Sequence, residues 1–222
     1  MSAHPVTGPS SFARVGRVLP AESIDDAAPP AVPRRARWSL VVAGLLVVLA
    51  AWQLGAAGWV HAKALLAQHL IAESWKSVKA GGVRKPWPWA DTRPVARLTV
   101  ASRGVDLFVL SGASGQSLAF GPGHVDGTAL PGSGGNSVIV AHRDTHFAFL
   151  RDLDPDAEIA VEDAKGRVTR YRVRETAILD KRETRVLDAA DSPQLTLITC
   201  WPFDAVAPGT PLRYVVIADR VA

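Results

Sequence analysis

The longest hydrophobic pattern in the chain is an uncharged run over residues 38–62, in which Asp, Glu, Lys and Arg do not occur. A helix needs about 20 apolar residues to cross the hydrocarbon core of a bilayer. Trp38, Trp52 and Trp59 are suited to the two membrane interfaces, where an indole ring keeps its N–H in contact with water. The pattern therefore predicts an N-terminal transmembrane helix over residues 38–60.

A cleaved signal peptide is the alternative interpretation, and Ala62-Lys63-Ala64 has small residues at a plausible cleavage spacing. The apolar region of a signal peptide is about 7–15 residues long and follows a short basic segment. Here the run is longer and 37 residues precede it, which favours an uncleaved anchor. Arg34, Arg35 and Arg37 lie on its N-terminal side, so the positive-inside rule places residues 1–37 in the cytoplasm and the rest of the chain on the extracytoplasmic side of the cell membrane.

Helix-forming residues continue beyond the apolar run. Leu65, Leu66 and Leu70 recur near helical spacing, which predicts a stalk helix that Gly81-Gly82 ends. A Pro- and Trp-rich linker then leads to a region with a different hydrophobic pattern. We predict four segments: a disordered cytoplasmic tail over 1–37, the transmembrane helix over 38–60, the stalk helix and linker over 61–89, and a folded domain over 90–222.

Short strand-like runs, separated by Gly, Pro and Asp, dominate from residue 90 onward. Residues 145–153 form the best candidate for a short helix, with Asp144 or Thr145 available as its cap. Many short strands over about 130 residues, with few helices, are typical of a β-sandwich or β-barrel. The predicted strands cover residues 95–100, 105–110, 137–141, 170–174, 195–199 and 212–217.

The net charge of +4 is unevenly distributed along the chain. Residues 1–37 carry five arginines against three acidic residues, and residues 61–85 carry five basic residues against one acidic residue. Residues 90–222 carry 15 basic and 17 acidic residues. The basic excess flanks the predicted membrane span and leaves the folded domain slightly acidic, which argues against a nucleic-acid partner.

The single cysteine, Cys200, excludes an intramolecular disulfide and a multi-cysteine zinc site. It follows the predicted strand 195–199 and precedes Trp201-Pro202. Proline cannot donate a hydrogen bond to a strand ladder, so the strand should stop there and leave the thiol at the rim of a sheet. A lone cysteine is commonly a small buried hydrophobe, and that interpretation stands beside a catalytic one.

Two further residues carry possible chemistry. His142 ends another predicted strand, and a histidine is able to activate a thiol and protonate a leaving amine. Arg213 lies on the apolar face of a third strand, where a fixed guanidinium would bind a substrate carbonyl or oxyanion. The alternatives are a histidine hydrogen-bonded within a loop and an arginine extended into solvent, and His124 and His146 rival His142. Spacing alone does not decide between them.

Three motifs resemble those of the sortase family. Leu197-Ile198-Thr199-Cys200 is similar to its strand-end signature of Leu, any residue, Thr and Cys, and Val140-Ala141-His142-Arg143-Asp144 is similar to its histidine segment. The run from Pro211 to Val216 resembles the strand that carries the sortase arginine. Ala141 replaces a glycine of many sortases, and Trp201 replaces a common tyrosine. The residues around His142 and Cys200 most resemble those of the class D-like sortases of Gram-negative proteobacteria.

The resemblance implies a mainly β fold: a closed eight-stranded sortase-type β-barrel with short helices. It implies a membrane-anchored cysteine transpeptidase without a cofactor, which cleaves a C-terminal sorting motif of an exported protein and transfers the acyl group to an amine of peptidoglycan or protein. Cys200 would be the nucleophile, His142 the acid/base and Arg213 the group that stabilises the substrate and its oxyanion. The implied substrate-binding residues are Thr199, Trp201 and Ala141.

Two other functions remain open at this stage: a thiol endopeptidase that resolves the thioester with water, and a non-enzymatic envelope-binding β-barrel module. A peptidoglycan L,D-transpeptidase is disfavoured because its Ser-x-Gly-Cys pattern does not occur around Cys200. A metal site is also disfavoured. Asp152, Asp154 and Asp156 alternate as in a calcium loop, but Pro155 intrudes and the glycine and closing glutamate are missing.

Overall fold

The computed structural model describes residues 34–207 and 209–221, so most of the predicted cytoplasmic tail lies outside the described residues. The chain divides into two compact units after Trp52. The helix α1, Arg34–Lys79, begins in the first unit and ends in the second. It contains a segment with a mean hydropathy of 2.2 that is long and apolar enough to cross a membrane.

The predicted membrane helix and stalk helix are one continuous helix. The chain has no proline between Pro33 and Pro86, and isolated glycines such as Gly55 do not end a helix. The helix ends where Gly81 adopts a φ of 82°, a left-handed conformation that glycine tolerates best.

Eight strands form a closed barrel in the order β1-β2-β3-β4-β7-β8-β6-β5, which confirms the predicted fold class. A short helix, α2, covers Gly115–Leu118, and 3₁₀ turns cover Ala101–Arg103, Ala148–Asp152 and Arg185–Leu187. The strands are β1 Pro94–Val100, β2 Val105–Ser111, β3 Gly123–His124, β4 Asn136–Val140, β5 Glu158–Asp163, β6 Val168–Asp180, β7 Gln194–Trp201 and β8 Leu212–Arg220.

All six predicted strands correspond to observed strands. Strand β6 shows why: the side chains of its first seven residues alternate between exposed and buried, as the polar-apolar pattern of residues 170–174 predicts. Strand β7 ends at Trp201, directly before Pro202, where the missing N–H of proline was expected to stop it. Strands β3 and β5 and the full length of β6 were not predicted.

The helix predicted over residues 145–153 was wrong. The N–H of Phe147 bonds to the carbonyl of His142, and the N–H of Ala148 bonds to that of Thr145, so the i to i−4 ladder of an α-helix does not start here. A 3₁₀ turn over Ala148–Asp152 follows. Phe147 and Leu150 are both fully buried, and a 3₁₀ turn directs side chains three residues apart to one side.

Two hydrophobic clusters lie on opposite faces of the sheet. The larger one fills the barrel and includes Leu195 and Leu197 of β7. The smaller one joins Val138, Ile198 and Val215, from β4, β7 and β8. Successive side chains of a strand point to opposite faces, so the small cluster marks the face shared by Ile198 and Cys200.

The C-terminal end of α1 packs on the barrel within the second unit. Trp75 is buried, with its ring centroid 6.3 Å from that of Phe108 on β2. The Nζ of Lys79 is 2.5 Å from a carboxylate oxygen of Glu162 on β5. The last turns of the helix are therefore part of the folded domain.

Candidate active site

The β4, β7 and β8 ladders bring the segments of the three predicted catalytic residues to one end of the sheet. Strand β4 runs parallel to β7 with Val140 opposite Ile198, and the N–H of Ala141 still bonds to the carbonyl of Ile198 at 3.2 Å. Continuing this register by two residues brings His142 level with Cys200. On the other side of β7, Cys200 is paired with Arg213 of β8. The backbone order across the three strands is thus histidine, cysteine, arginine.

The exposure of these residues fits a surface site. His142 is exposed, whereas Cys200 and Arg213 are half-buried. Cys200 and Arg213 lie on the face that carries the small cluster around Ile198 and Val215. The thiol is therefore at the end of a buried strand but accessible from outside the barrel, as a nucleophile must be.

The guanidinium of Arg213 is held by the loop that precedes its strand. Its Nη1 donates to the carbonyls of Thr210 at 2.7 Å and Leu212 at 2.9 Å. Among the described residues, its Nε and Nη2 make no hydrogen bond, so these donors remain available to a ligand. The arginine is anchored through one nitrogen and can bind an oxyanion through the others.

Arg143, the residue after His142, is buried. Its Nη2 donates to the carbonyls of Ala205 at 2.6 Å and Ala207 at 3.1 Å, and its Nη1 to the Oγ1 of Thr210 at 3.3 Å. The sequence placed Arg143 in the histidine motif but indicated no separate role for it. Nothing local predicts that its partners lie more than 60 residues away.

Of the predicted substrate-binding residues, Thr199 and Ala141 form a buried pair. The Oγ1 of Thr199 donates to the carbonyl of Ala141 at 2.8 Å, and Thr199 is only 2% exposed. This bond joins the end of β7 to the segment that carries His142. A direct contact of either side chain with a substrate stays a prediction.

Trp201, the third of these residues, belongs to an aromatic cluster beside the cysteine. Its ring stacks on that of Tyr214, with centroids 5.7 Å apart, and meets the edge of Phe203 at 5.6 Å. A groove of about 680 Å³ opens over this cluster and is also lined by Arg151 and Asp204. Trp201 and Tyr214 pack against the barrel core, on the face of the sheet opposite to Cys200. The contact of Trp201 with a substrate therefore stays a prediction.

The two rival histidines differ from His142 in their surroundings. The Nε2 of His124 is buried and lies 2.9 Å from the carbonyl of Ala129 and 3.1 Å from the Oγ1 of Thr128, which indicates a structural role. His146 is half-buried, and its pKa is lowered, first by burial and then by the charge of His142. Both effects disfavour the charged form of His146.

No cluster of three or more His, Cys, Asp or Glu side chains in residues 34–207 and 209–221 is arranged to hold a metal ion. In the aspartate run, the 3₁₀ turn ends at Asp152, and Asp156 adopts a φ of 63°. The expectation that the protein needs no metal stays a prediction.

A family model for the sortase domain matches residues 98–221. Sortase D of Bacillus subtilis (strain 168) is 29% identical over 125 residues, which cover 56% of this chain and 62% of that protein. Sortase C-1 of Actinomyces oris is 30% identical, with a TM-score of 0.53, over 60% of this chain and 76% of that structure. Sortase A of Corynebacterium diphtheriae is 29% identical, with a TM-score of 0.54, over 60% of this chain and 63% of that structure.

The matches extend over less than two thirds of the Bacillus and Corynebacterium proteins. These relatives carry the class names D, C and A. The comparisons therefore support the family as a whole, and the resemblance to class D-like sortases of Gram-negative bacteria stays a prediction.

Proposed function

We propose that this chain, which belongs to the sortase family, is a membrane-anchored cysteine transpeptidase that acts on exported proteins. The observation that supports this proposal best is the strand register, which sets Cys200 between Arg213 on β8 and the end of β4, where His142 follows. A nucleophile, an acid/base and an oxyanion donor are the three groups that acyl transfer requires.

In the first step, His142 takes the thiol proton and the Sγ of Cys200 attacks the carbonyl carbon of a peptide bond. The C–N bond breaks, and His142 gives its proton to the leaving amine. The acyl group remains on Cys200 as a thioester. Splitting the reaction in this way replaces one difficult step by two easier ones.

In the second step, the amine of an acceptor attacks the thioester. Its proton passes to His142, the C–S bond breaks, and Cys200 leaves as a thiolate that regains the proton from His142. The product contains a new amide bond, and the enzyme returns to its starting state. If water attacks instead, the product is a free acid and the protein acts as a thiol endopeptidase.

Arg213 stabilises the negative oxygen that forms on the substrate in each step. Two of its nitrogens have no protein hydrogen bond among the described residues, and the third is anchored to the carbonyls of Thr210 and Leu212. A donor that is already oriented needs little reorganisation energy when the negative charge develops.

The apolar segment of α1 anchors the enzyme in the cell membrane. With residues 1–37 in the cytoplasm, the barrel faces the extracytoplasmic side, where exported substrates with a C-terminal sorting signal emerge. Holding enzyme and substrate at one membrane raises their effective concentration. The acceptor is an amine of peptidoglycan or of another protein.

The decisive experiment captures the acyl-enzyme. The full chain in detergent is incubated with a pooled library of randomised peptides, and Cys200 adducts are identified by mass spectrometry with and without hydroxylamine, which cleaves thioesters. We expect an acyl adduct on Cys200 that hydroxylamine removes. It should accumulate in Arg213→Gln or His142→Gln if the second step is slowed more than the first.

Arg220→Gln, at the other end of β8, is the matched control and should behave as the unmodified chain does. Cys200→Ala must give no adduct. The absence of a thioester from the unmodified chain and from both site variants would contradict the mechanism. A product that is only the free acid, even with abundant amine, would identify a peptidase instead.

A further inference from the structure

Arg143 is an arginine whose side chain is directed into the protein. The residue is 9% exposed, and its guanidinium donates to the carbonyls of Ala205 and Ala207 and to the hydroxyl of Thr210. None of the ion pairs in the described part of the chain includes it. All three acceptors are neutral and belong to the loop that connects β7 to β8.

The same loop holds Arg213. Thr210 accepts a hydrogen bond from Arg143 through its Oγ1 and another from Arg213 through its carbonyl oxygen. Arg143 directly follows His142, whereas Cys200 and Arg213 lie on the strands that this loop joins. One buried guanidinium therefore connects the segment of the histidine to the loop that orients the arginine.

We infer that Arg143 is a positioning residue for the acyl transfer: it fixes the β7–β8 loop so that Arg213 is presented beside Cys200. The inference rests on the proposed function. Arg143 reaches its three acceptors because a guanidinium is planar and offers several donors in a fixed fork. A lysine would keep the charge but could not reproduce these bonds.

The test compares a variant that keeps the positive charge of Arg143 with one that removes it. Arg143→Lys and Arg143→Gln are each expected to lower kcat by about 10- to 100-fold, because small misplacements of a group at the reacting centre have effects of that size. KM should change by less than about threefold, since Arg213 acts mainly on the oxyanion of the transition state. The substrate is the peptide that the unmodified chain cleaves best from the randomised library.

Two variants separate a local effect from a general one. Arg172→Gln, an exposed arginine on β6, is the matched control and should leave kcat unchanged. Thr210→Val removes one of the three acceptors and should have a smaller effect. Adding it to Arg143→Gln should cause little further loss, because both changes break the same interaction.

Two measurements do not depend on turnover. Hydrogen exchange of the peptide covering residues 203–212 should be faster in Arg143→Lys than in the unmodified full chain. The rate at which iodoacetamide alkylates Cys200 should fall no further in Arg143→Lys than in Arg213→Gln, because Arg143 acts on the thiol only through Arg213. A larger loss of alkylation in Arg143→Lys would show that Arg143 acts on the thiol directly, and would overturn the inference.

An Arg143→Lys variant with unchanged kcat would also overturn it, since charge alone would then suffice. If the unmodified chain cleaves no peptide, the proposed function fails. Hydrogen exchange of the β7–β8 loop then still tests whether Arg143 holds that loop in place. Unchanged exchange in Arg143→Lys would then reject Arg143 as the anchor of the loop, and faster exchange would retain it.

Discussion

The residues that carry the proposed chemistry have buried neighbours in the sequence that hold them in place. Cys200 is half-buried at the outer face, whereas Thr199 points inward and bonds to the carbonyl of Ala141. His142 is exposed, whereas Arg143 is buried in the β7–β8 loop. The alternation of a strand explains the first case: when one residue faces a ligand, the next faces the core.

Replacing Thr199 by valine tests the role of its buried hydroxyl. Thr199→Val keeps the shape of the side chain but leaves the carbonyl of Ala141 without its partner, which should lower the free energy of unfolding by about 1–3 kcal/mol. Thermal unfolding of the full chain in detergent, followed by circular dichroism, measures the change.

Thr99→Val is the matched control. The Oγ1 of Thr99 is 3.4 Å from the carbonyl of Ala160 and is only partly buried. Loss of this hydrogen bond should therefore lower the midpoint of thermal unfolding much less. Equal midpoints for Thr199→Val and the unmodified chain would show that the bond to Ala141 adds nothing to stability.

At the scale of elements, the shortest strand closes the barrel. Strand β3 has two residues and connects β2, to which it is parallel, with β4, to which it is antiparallel. A Cβ atom added to Gly123 would lie 2.3 Å from the carbonyl oxygen of Gly112, so only glycine allows this approach. Two residues are too few for periodicity to predict a strand.

A pair of glycine substitutions tests this closure. Gly123→Ala should destabilise the barrel by about 1–3 kcal/mol, the usual cost of overpacking. Gly134→Ala should be close to neutral, since an added Cβ meets no atom within 4 Å there and the φ of Gly134 is not positive. The midpoints of denaturant unfolding of the two variants are compared. A Gly123→Ala variant as stable as Gly134→Ala would refute the close approach of Gly123 to Gly112.

For the whole molecule, the distribution of charge is the basis of the proposed membrane topology. The basic excess lies in residues 1–37 and 61–85, on the two sides of the apolar segment, whereas residues 90–222 have two more acidic than basic residues. The end of α1 packs on the barrel through Trp75 and Lys79. The stalk predicted from the sequence is therefore attached to the domain that it precedes.

The single cysteine permits a direct test of orientation. A membrane-impermeant maleimide added to intact cells should label Cys200, since the thiol is half-exposed and the barrel is proposed to face outward. In a Cys200→Ala background, Ser192→Cys on the exposed β6–β7 connection should be labelled in the same way. Ser11→Cys, in the tail, should be labelled only after permeabilisation. Labelling of Ser11→Cys and protection of Ser192→Cys in intact cells would reverse the topology.

The amino-acid sequence by itself determined the features that depend on neighbouring residues. Hydrophobic runs and two-residue alternation predicted the two helical segments that form α1 and six of the strands, and Pro202 predicted the end of β7. The resemblance of three motifs indicated the closed barrel and the candidate residues. The helical segments, the strands and the end of β7 could be predicted because each depends on residues close together in the sequence, whereas the barrel and the roles of the candidate residues came from the resemblance alone.

Only the tertiary structure decided how distant segments meet. The parallel register of β4 and β7 ends with Val140 opposite Ile198, which brings the segment of His142 to the same end of the sheet as Cys200, 58 positions further along the chain. No local sequence pattern contains that register. The same holds for Arg143, whose acceptors lie 62 to 67 residues along the chain. Strand pairing and the burial of polar groups are settled by partners that are distant in sequence, so the geometry of the site had to come from the folded barrel.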